Sequence, residues 1–137
     1  MASLTAWFPQ KYYSLIKTLA STHPSALSVG TSLLERGGQA LFLNPDFPLH
    51  PGAKGTRREI THLHPSEGSM HISLSPPDAK LIIERGWGER FGLSGTIVPV
   101  TYVMIYAPRL GAKEEEDCGV VERIVRAGVR FMLGEEK

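Results

Sequence analysis

Three of the five histidines in this chain of 137 residues, His62, His64 and His71, lie close together in the sequence. Imidazole changes its protonation state near neutral pH, and its neutral form is a common metal ligand. The cluster therefore indicates one of two chemistries. A histidine can act as a general base on a substrate, or the three can bind a divalent metal with Glu59 or Glu67 as a fourth ligand. The alternative is a solvated sheet face, where Lys, Glu, Thr or Gln are the usual residues.

The residues around the cluster predict a β-hairpin with its turn at 65–68. Residues 57–64 and 69–75 both alternate in the way that a half-buried strand does. In this hairpin, position 64 pairs with 69, 62 with 71, and 60 with 73. Successive side chains on a strand point to opposite faces. One face therefore carries His62, His64, Ser69, His71 and Ser73. The other carries the candidate core residues Thr61, Leu63, Met70, Ile72 and Leu74.

Two arginines at the open end of the hairpin are candidates for binding a substrate. Alternation places Arg58 on the histidine face and Arg57 on the opposite face. A guanidinium in this position can hold a carboxylate or an enolate through two parallel hydrogen bonds. The alternative for either arginine is a structural salt bridge with Glu59, Glu84 or Glu89.

Further side chains are candidates for the wall of a substrate pocket. They are Glu59, Ser69, Ser73, Trp87, Arg90, Tyr106 and Arg109. Trp87 and Arg90 belong to a glycine-rich segment, 86–95, for which we predict no regular element. The alternative for Trp87 is a packing role in the core. Tyr106 and Arg109 lie at the end of an apolar strand predicted over 99–107, a favoured position for functional groups.

Apolar periodicity and turn residues predict the elements that position these side chains. Helices are predicted over 10–21, 25–36, 76–86 and 113–133, and strands over 39–44, 57–64, 69–75 and 99–107. The last helix is the longest, and the acidic residues at 114–117 suit the positive end of its dipole. We expect a single α+β domain over residues 1–137. Its antiparallel sheet would have about four strands, with the helices packed on one face.

Composition excludes several classes of protein. Fifteen basic and fourteen acidic residues give a net charge of +1, without the basic footprint that nucleic-acid binding requires. The single cysteine, Cys118, excludes an intramolecular disulfide framework and a multi-cysteine metal site. No stretch is apolar for long enough to be a signal peptide or a membrane span. We therefore expect a soluble, cytoplasmic protein.

Several blocks of sequence resemble, in the same order, the luciferase domain of bioluminescent mushrooms and its non-luminous relatives. These blocks are TRREITHLH at 56–64, MHI at 70–72, KLIIERGWGER at 80–90 and IYAPR at 105–109. The resemblance covers residues 54–133. It leaves a helical N-terminal part and a loop over 1–53.

The resemblance implies a reaction and roles for the candidate residues. The fungal luciferases that this chain resembles are oxygenases that need no metal or organic cofactor. Dioxygen adds to a hydroxylated α-pyrone, 3-hydroxyhispidin, and the resulting endoperoxide loses carbon dioxide and emits light. The resemblance implies that the general base comes from His62, His64 and His71. The clamp on the enolate would come from Arg58 and Arg90, and the apolar wall of the pocket from Trp87 and Tyr106.

The chain also departs from the luciferases. Its sequence differs from theirs at 65–68 and 95–99, and we expect it to be shorter at its N-terminus and without their membrane-spanning segment. We therefore expect a cofactor-independent enzyme that uses the same pocket on a related enolisable aromatic, pyrone or polyketide-type metabolite. The reaction would be oxygenation by dioxygen, or isomerisation, cyclisation or decarboxylation. The alternatives are a non-catalytic small-molecule binding protein and an enzyme that holds a divalent metal at His62, His64 and His71.

Overall fold

The computed structural model describes residues 2–32, 38–48, 51, 56–64, 68–90, 102–109 and 111–135. The helices are α1 (Ala2–Thr22), α2 (Pro76–Glu84) and α3 (Glu114–Met132), with a 3-10 turn at Gly111–Lys113. The strands are β1 (Leu27–Thr31), β2 (Gln39–Leu43), β3 (Glu59–Leu63), β4 (Met70–Ser73), β5 (Gly88–Arg90) and β6 (Tyr102–Ile105). Within these ranges, no helix has the length and apolar character needed to cross a membrane.

The six strands of the described residues form one antiparallel sheet in the order β1–β2–β3–β4–β6–β5. The helices cover one face of this sheet, with α1 on β1 and β2, α3 on β3 and β4, and α2 on β5. Apolar side chains from this face and from the helices form the hydrophobic core. The structure confirms the predicted α+β class, the placement of the helices on one face and the long C-terminal helix.

Strand β1 occupies part of the predicted helix over 25–36, so that prediction was wrong. Residues 33–37 lie outside the described ranges. Leu27 pairs with Leu43 of β2 and is buried in the core. Val29 and Gly30 both lower the helix propensity of this segment, and pairing with β2 decides its conformation.

Strand β5 lies in the glycine-rich segment that was predicted to be irregular. A Cβ atom on Gly88 would lie 2.3 Å from the carbonyl oxygen of Met104, so only glycine lets β5 approach β6 this closely. Residues 91–95 of that segment lie outside the described ranges. Because β5 pairs with β6, the latter is an interior strand with neighbours on both sides.

Helix α1 begins at Ala2, before the predicted start at residue 10. At 21 residues it is longer than α3, which has 19, so the prediction that the last helix is the longest was wrong. Its buried face carries Tyr12, Ile16 and Leu19. The Tyr12 hydroxyl donates to Thr61 Oγ1 at 3.3 Å, and Thr61 donates in turn to the carbonyl oxygen of His71 at 2.8 Å. Burial raises the pKa of Tyr12 above its usual range. This chain of hydrogen bonds connects the helix to the strands that carry the histidines.

Helix α3 approaches β4 most closely at Gly128, which gives a test of the packing. A Cβ there would lie 2.6 Å from Ile72 Cδ1 and 2.8 Å from the carbonyl oxygen of Ser73. We expect Gly128→Ala to destabilise the protein by about 1–3 kcal/mol, measured by urea unfolding. Gly119→Ala in the same helix is the control. Nothing lies within 4 Å of its Cβ, so it should stabilise by roughly 0.5–1 kcal/mol. Equal effects would contradict this account of the packing.

Candidate active site

The hairpin of β3 and β4 has the predicted register. His62 lies opposite His71, Leu63 opposite Met70, and the His64 amide donates to the Ser69 carbonyl oxygen at 2.8 Å. The predicted core set is fully buried on the helix side: Thr61, Leu63, Met70, Ile72 and Leu74. The histidines therefore lie on the opposite face of the sheet, as the alternation predicts.

A β-bulge brings Glu59 onto the histidine face. His62 of β3 pairs with Ala40, but the register then shifts, and Phe42 lies opposite Glu59. The extra residue, Ile60, turns into the core, where it is fully buried. Regular alternation would place Glu59 and His62 on opposite faces, whereas the bulge places them on the same face.

Four polar side chains form a hydrogen-bonded row across this face, which we call the Ser32–Glu59–His62–His71 row. Ser32 Oγ donates to both Glu59 carboxylate oxygens at 3.1 Å. Glu59 Oε2 lies 2.5 Å from His62 Nδ1. His62 Nε2 lies 3.2 Å from His71 Nδ1. All four residues are buried, so the row is shielded from water.

His64 and Tyr102 complete the cluster. The His64 ring lies edge-on to that of His71, with centroids 4.8 Å apart, and its Nδ1 is 3.0 Å from Ser69 Oγ. Tyr102 of β6 stacks on His71 with centroids 5.4 Å apart, and its hydroxyl is 3.1 Å from His62 Nδ1. Sequence reasoning missed Tyr102 because the register of β4 with β6 is not evident from the sequence.

The comparisons with known proteins concern the same part of the chain. A family model described as the Luciferase domain matches residues 57–128, which include all three clustered histidines. The chain belongs to this luciferase domain family. The resemblance of its sequence blocks to that family is thereby confirmed.

Three curated luciferases are similar to this luciferase-family chain. That of Neonothopanus nambi is 32% identical over 133 residues, covering 88% of this chain and 48% of the relative. Those of Armillaria gallica and Armillaria mellea are each 31% identical over 134 residues, covering 89% of this chain and 49% of the relative. The chain spans about half the length of these relatives. No solved structure matches it.

The two arginines of the luciferase-family motif precede strand β3 instead of forming part of it. Both have positive φ, 54° at Arg57 and 70° at Arg58, so the alternation of β3 does not extend to them. Arg58 donates from Nη1 to the carbonyl oxygens of Asn44 and Phe47, at 2.8 and 2.9 Å. Arg57 is exposed. The described contacts of Arg58 thus hold a loop, and its role as a substrate clamp stays a prediction.

Trp87 and Arg90 lie at the two ends of β5. The Trp87 ring is half-buried against the core and lines a groove of about 390 Å³ between α2 and α3. Trp87 therefore has the packing role in the core that was the alternative to a place in a substrate pocket. The groove lies on the helix side of the sheet. Arg90 is exposed and pairs with Val103, which the register places on the helix-covered face. Neither position brings these side chains to the histidine row.

Tyr106 and Arg109 follow β6 and contact acidic residues. The Tyr106 hydroxyl donates to Glu89 Oε1 at 2.9 Å, and this hydrogen bond raises the pKa of Tyr106. Arg109 makes a two-pronged contact with Asp117 of α3, from Nε and Nη2, both at 2.8 Å. The backbone amide of Arg109 donates to the same carboxylate. Arg109 therefore fixes the start of α3 in this structure.

The Arg109–Asp117 contact predicts a pH-dependent stability. Hydrogen bonding to Arg109 lowers the pKa of the buried Asp117 carboxyl. The stability that this contact adds is present above the ordinary carboxyl pKa and is lost as the pH falls through the lowered pKa. We expect Asp117→Asn to reduce the free energy of unfolding by about 1 kcal/mol at pH 7, because Arg109 is solvent-exposed. Below about pH 4 the difference between wild type and variant should narrow. Urea unfolding at both pH values measures this; a constant difference would contradict it.

The three histidines also have the spacing of a metal site. One ring nitrogen from each lies within 4.8 Å of the others. His62 Nε2 and His71 Nδ1 are 3.2 Å apart, close to the roughly 3.3 Å expected for two nitrogens on one tetrahedral zinc ion. Glu59 would then orient His62 from behind. Glu67, the other predicted fourth ligand, lies outside the described residues.

Proposed function

We propose that this luciferase-family domain is a cofactor-independent enzyme of the cytoplasm. It uses a histidine base to take a proton from an enolisable aromatic, pyrone or polyketide-type substrate. One observation supports this above the others: three imidazoles and a tyrosine lie together on the sheet face opposite the helices, and two of the imidazoles form part of a buried hydrogen-bonded row.

Burial argues that the cluster has a chemical role. His62 and His71 are 1% and 3% exposed. Burying polar groups has a desolvation cost that their hydrogen bonds must offset, and apolar residues would serve a purely structural sheet at least as well. A site with little water strengthens the interaction of fixed dipoles with a developing enolate charge.

The environment of Ser73 is evidence that a polar group of the substrate binds next to the histidines. Its Oγ is fully buried and has no hydrogen-bond partner among the described residues. Ser73 lies two positions after His71 on β4 and pairs with Tyr102. A buried hydroxyl without a partner is costly, and a carbonyl or hydroxyl of the substrate would remove that cost. Met104, which pairs with His71, offers an apolar contact on the same face.

The proposed first step is a proton transfer. The base takes a proton from an enol hydroxyl or from a carbon next to a carbonyl, and the bonding electron pair stays on the substrate as an enolate. In an oxygenation, the enolate then gives electrons to dioxygen as carbon–oxygen bonds form. Both oxygen atoms stay in the products, so no external reductant is needed. In an isomerisation, the same enolate takes a proton at another carbon.

The test combines two measurements on the purified protein in buffered D2O. The probes are 3-hydroxyhispidin and 4-hydroxy-6-methyl-2-pyrone. Mass spectrometry measures deuterium incorporated at carbon, and an electrode measures oxygen consumption. We expect wild type to exceed a His62→Ala, His64→Ala, His71→Ala triple variant in at least one measurement. If calorimetry shows that a probe binds and neither measurement shows turnover, the proposal is wrong and the protein is a non-catalytic small-molecule binding protein. A protein that neither binds nor turns over either probe would also contradict the proposal.

The metal-dependent enzyme is the second candidate, because the ligand atoms have suitable spacing. Elemental analysis separates the two. Under the proposed function, we expect less than stoichiometric zinc, iron, manganese or copper in the purified protein, and no loss of turnover after dialysis against EDTA. One equivalent of a metal per chain, lost together with activity on chelation and restored with it, would establish the metal-dependent alternative.

A further inference from the structure

The proton between Glu59 and His62 determines the polarity of the whole row. Glu59 Oε2 and His62 Nδ1 are 2.5 Å apart, a distance at which two lone pairs would repel, so a hydrogen must lie between them. Ser32 Oγ donates to both carboxylate oxygens, which is the arrangement expected for an ionised carboxylate. The hydrogen therefore belongs to His62 Nδ1, which donates it to Glu59 and so has no lone pair to accept from the Tyr102 hydroxyl 3.1 Å away.

The polarity then passes from His62 to His71. A neutral imidazole with hydrogen on one nitrogen has a lone pair on the other. His62 Nε2 is consequently an acceptor, and the nitrogen 3.2 Å away, His71 Nδ1, must be the donor. The lone pair of a neutral His71 is then on Nε2. Tyr102, stacked on the His71 ring, holds the plane of that ring.

We propose that Glu59 is a positioning residue that sets the tautomer of both imidazoles, so that Nε2 of His71 is the atom that accepts the substrate proton. The catalytic meaning of this inference rests on the proposed function. The tautomers themselves do not. When the proton arrives at His71 Nε2, the positive charge that forms is stabilised along the row by the Glu59 carboxylate. The electron pair remains on the substrate.

The first test measures the tautomers directly in the wild-type protein labelled with nitrogen-15 at histidine. Long-range proton–nitrogen correlation spectra distinguish a nitrogen that carries hydrogen from one that carries a lone pair. His62→Gln and His71→Gln spectra assign the signals. We expect hydrogen on Nδ1 and a lone pair on Nε2 in both rings. A hydrogen on Nε2 of either neutral ring would overturn the inference, whether or not the protein is an enzyme.

The second test separates positioning from structure. Glu59→Gln has the shape of the native residue but lacks the charge that fixes the polarity. We expect it to give mixed or reversed tautomers and to lower the carbon deuterium-exchange rate by about 100-fold or more. Glu59→Asp should retain the native tautomers and a larger part of the rate. If Glu59→Gln leaves both tautomers and rate unchanged, the inference is wrong. If wild type neither exchanges deuterium nor consumes oxygen while its tautomers are as expected, the proposed function fails and the assignment of Glu59 as the tautomer-setting residue stands.

Discussion

Replacing His71 with glutamine is expected to lower the rate of carbon deuterium exchange on a hydroxypyrone by about 10²–10⁴-fold, the usual contribution of a positioned general base. Glutamine is close in size to histidine and keeps a polar group at the end of its side chain. It has no lone-pair nitrogen that could take a proton at neutral pH. The loss should therefore appear in turnover and leave the binding of the pyrone, measured by calorimetry, within a few-fold of wild type.

The control for this experiment is His23→Gln. His23 lies just after the end of α1, where its Nδ1 is 3.2 Å from the carbonyl oxygen of Leu19. The variant removes one imidazole from the protein without touching the histidine face, so its exchange rate should equal that of wild type. A His71→Gln variant that is as active as His23→Gln would exclude His71 as the base.

The local part of the site could be predicted from the sequence because it depends on one hairpin. Alternation alone sorts His62 and His71 onto one face and Leu63 onto the other, and a register slip would have exposed the apolar set. The resemblance to the luciferase family independently indicates the same histidines as site residues. The interior strands were predicted for a similar reason, since buried β-rich runs such as the one containing Val103 have a strong local signal.

The rest of the fold and of the site depends on contacts between segments that are distant in the sequence. Such contacts leave weaker signals in the local sequence. Both missed strands are at the edges of the sheet and contain glycine, Gly30 in β1 and Gly88 in β5, which reduces their strand propensity. The bulge in β3 left a signal that could have been used. Strict alternation over 57–64 would put the apolar Ile60 among the histidines and the acidic Glu59 in the core, and one extra residue corrects both misplacements.

The burial of Glu59 gives the second large expected effect. Glu59 and His62 are 0% and 1% exposed, so the leucine of His62→Leu would leave a buried carboxylate without its closest partner. Leaving a buried charged group without its hydrogen-bond partner costs about 3 kcal/mol or more. Domains are stable by about 5–15 kcal/mol, so this loss should shift the urea midpoint far to lower concentration or prevent folding.

A double variant distinguishes this cause from a simple loss of packing. If the cost of His62→Leu comes from the unpaired charge of Glu59, then adding Glu59→Leu removes that charge and should restore most of the lost stability. If the cost came from poor packing of leucine at position 62, the second substitution would lower the stability further. The sign of the coupling free energy, obtained from unfolding of the two single variants and the double variant, decides between these causes. A double variant that is more stable than wild type and has lost all deuterium exchange would mean that the row is kept for chemistry at a cost in stability.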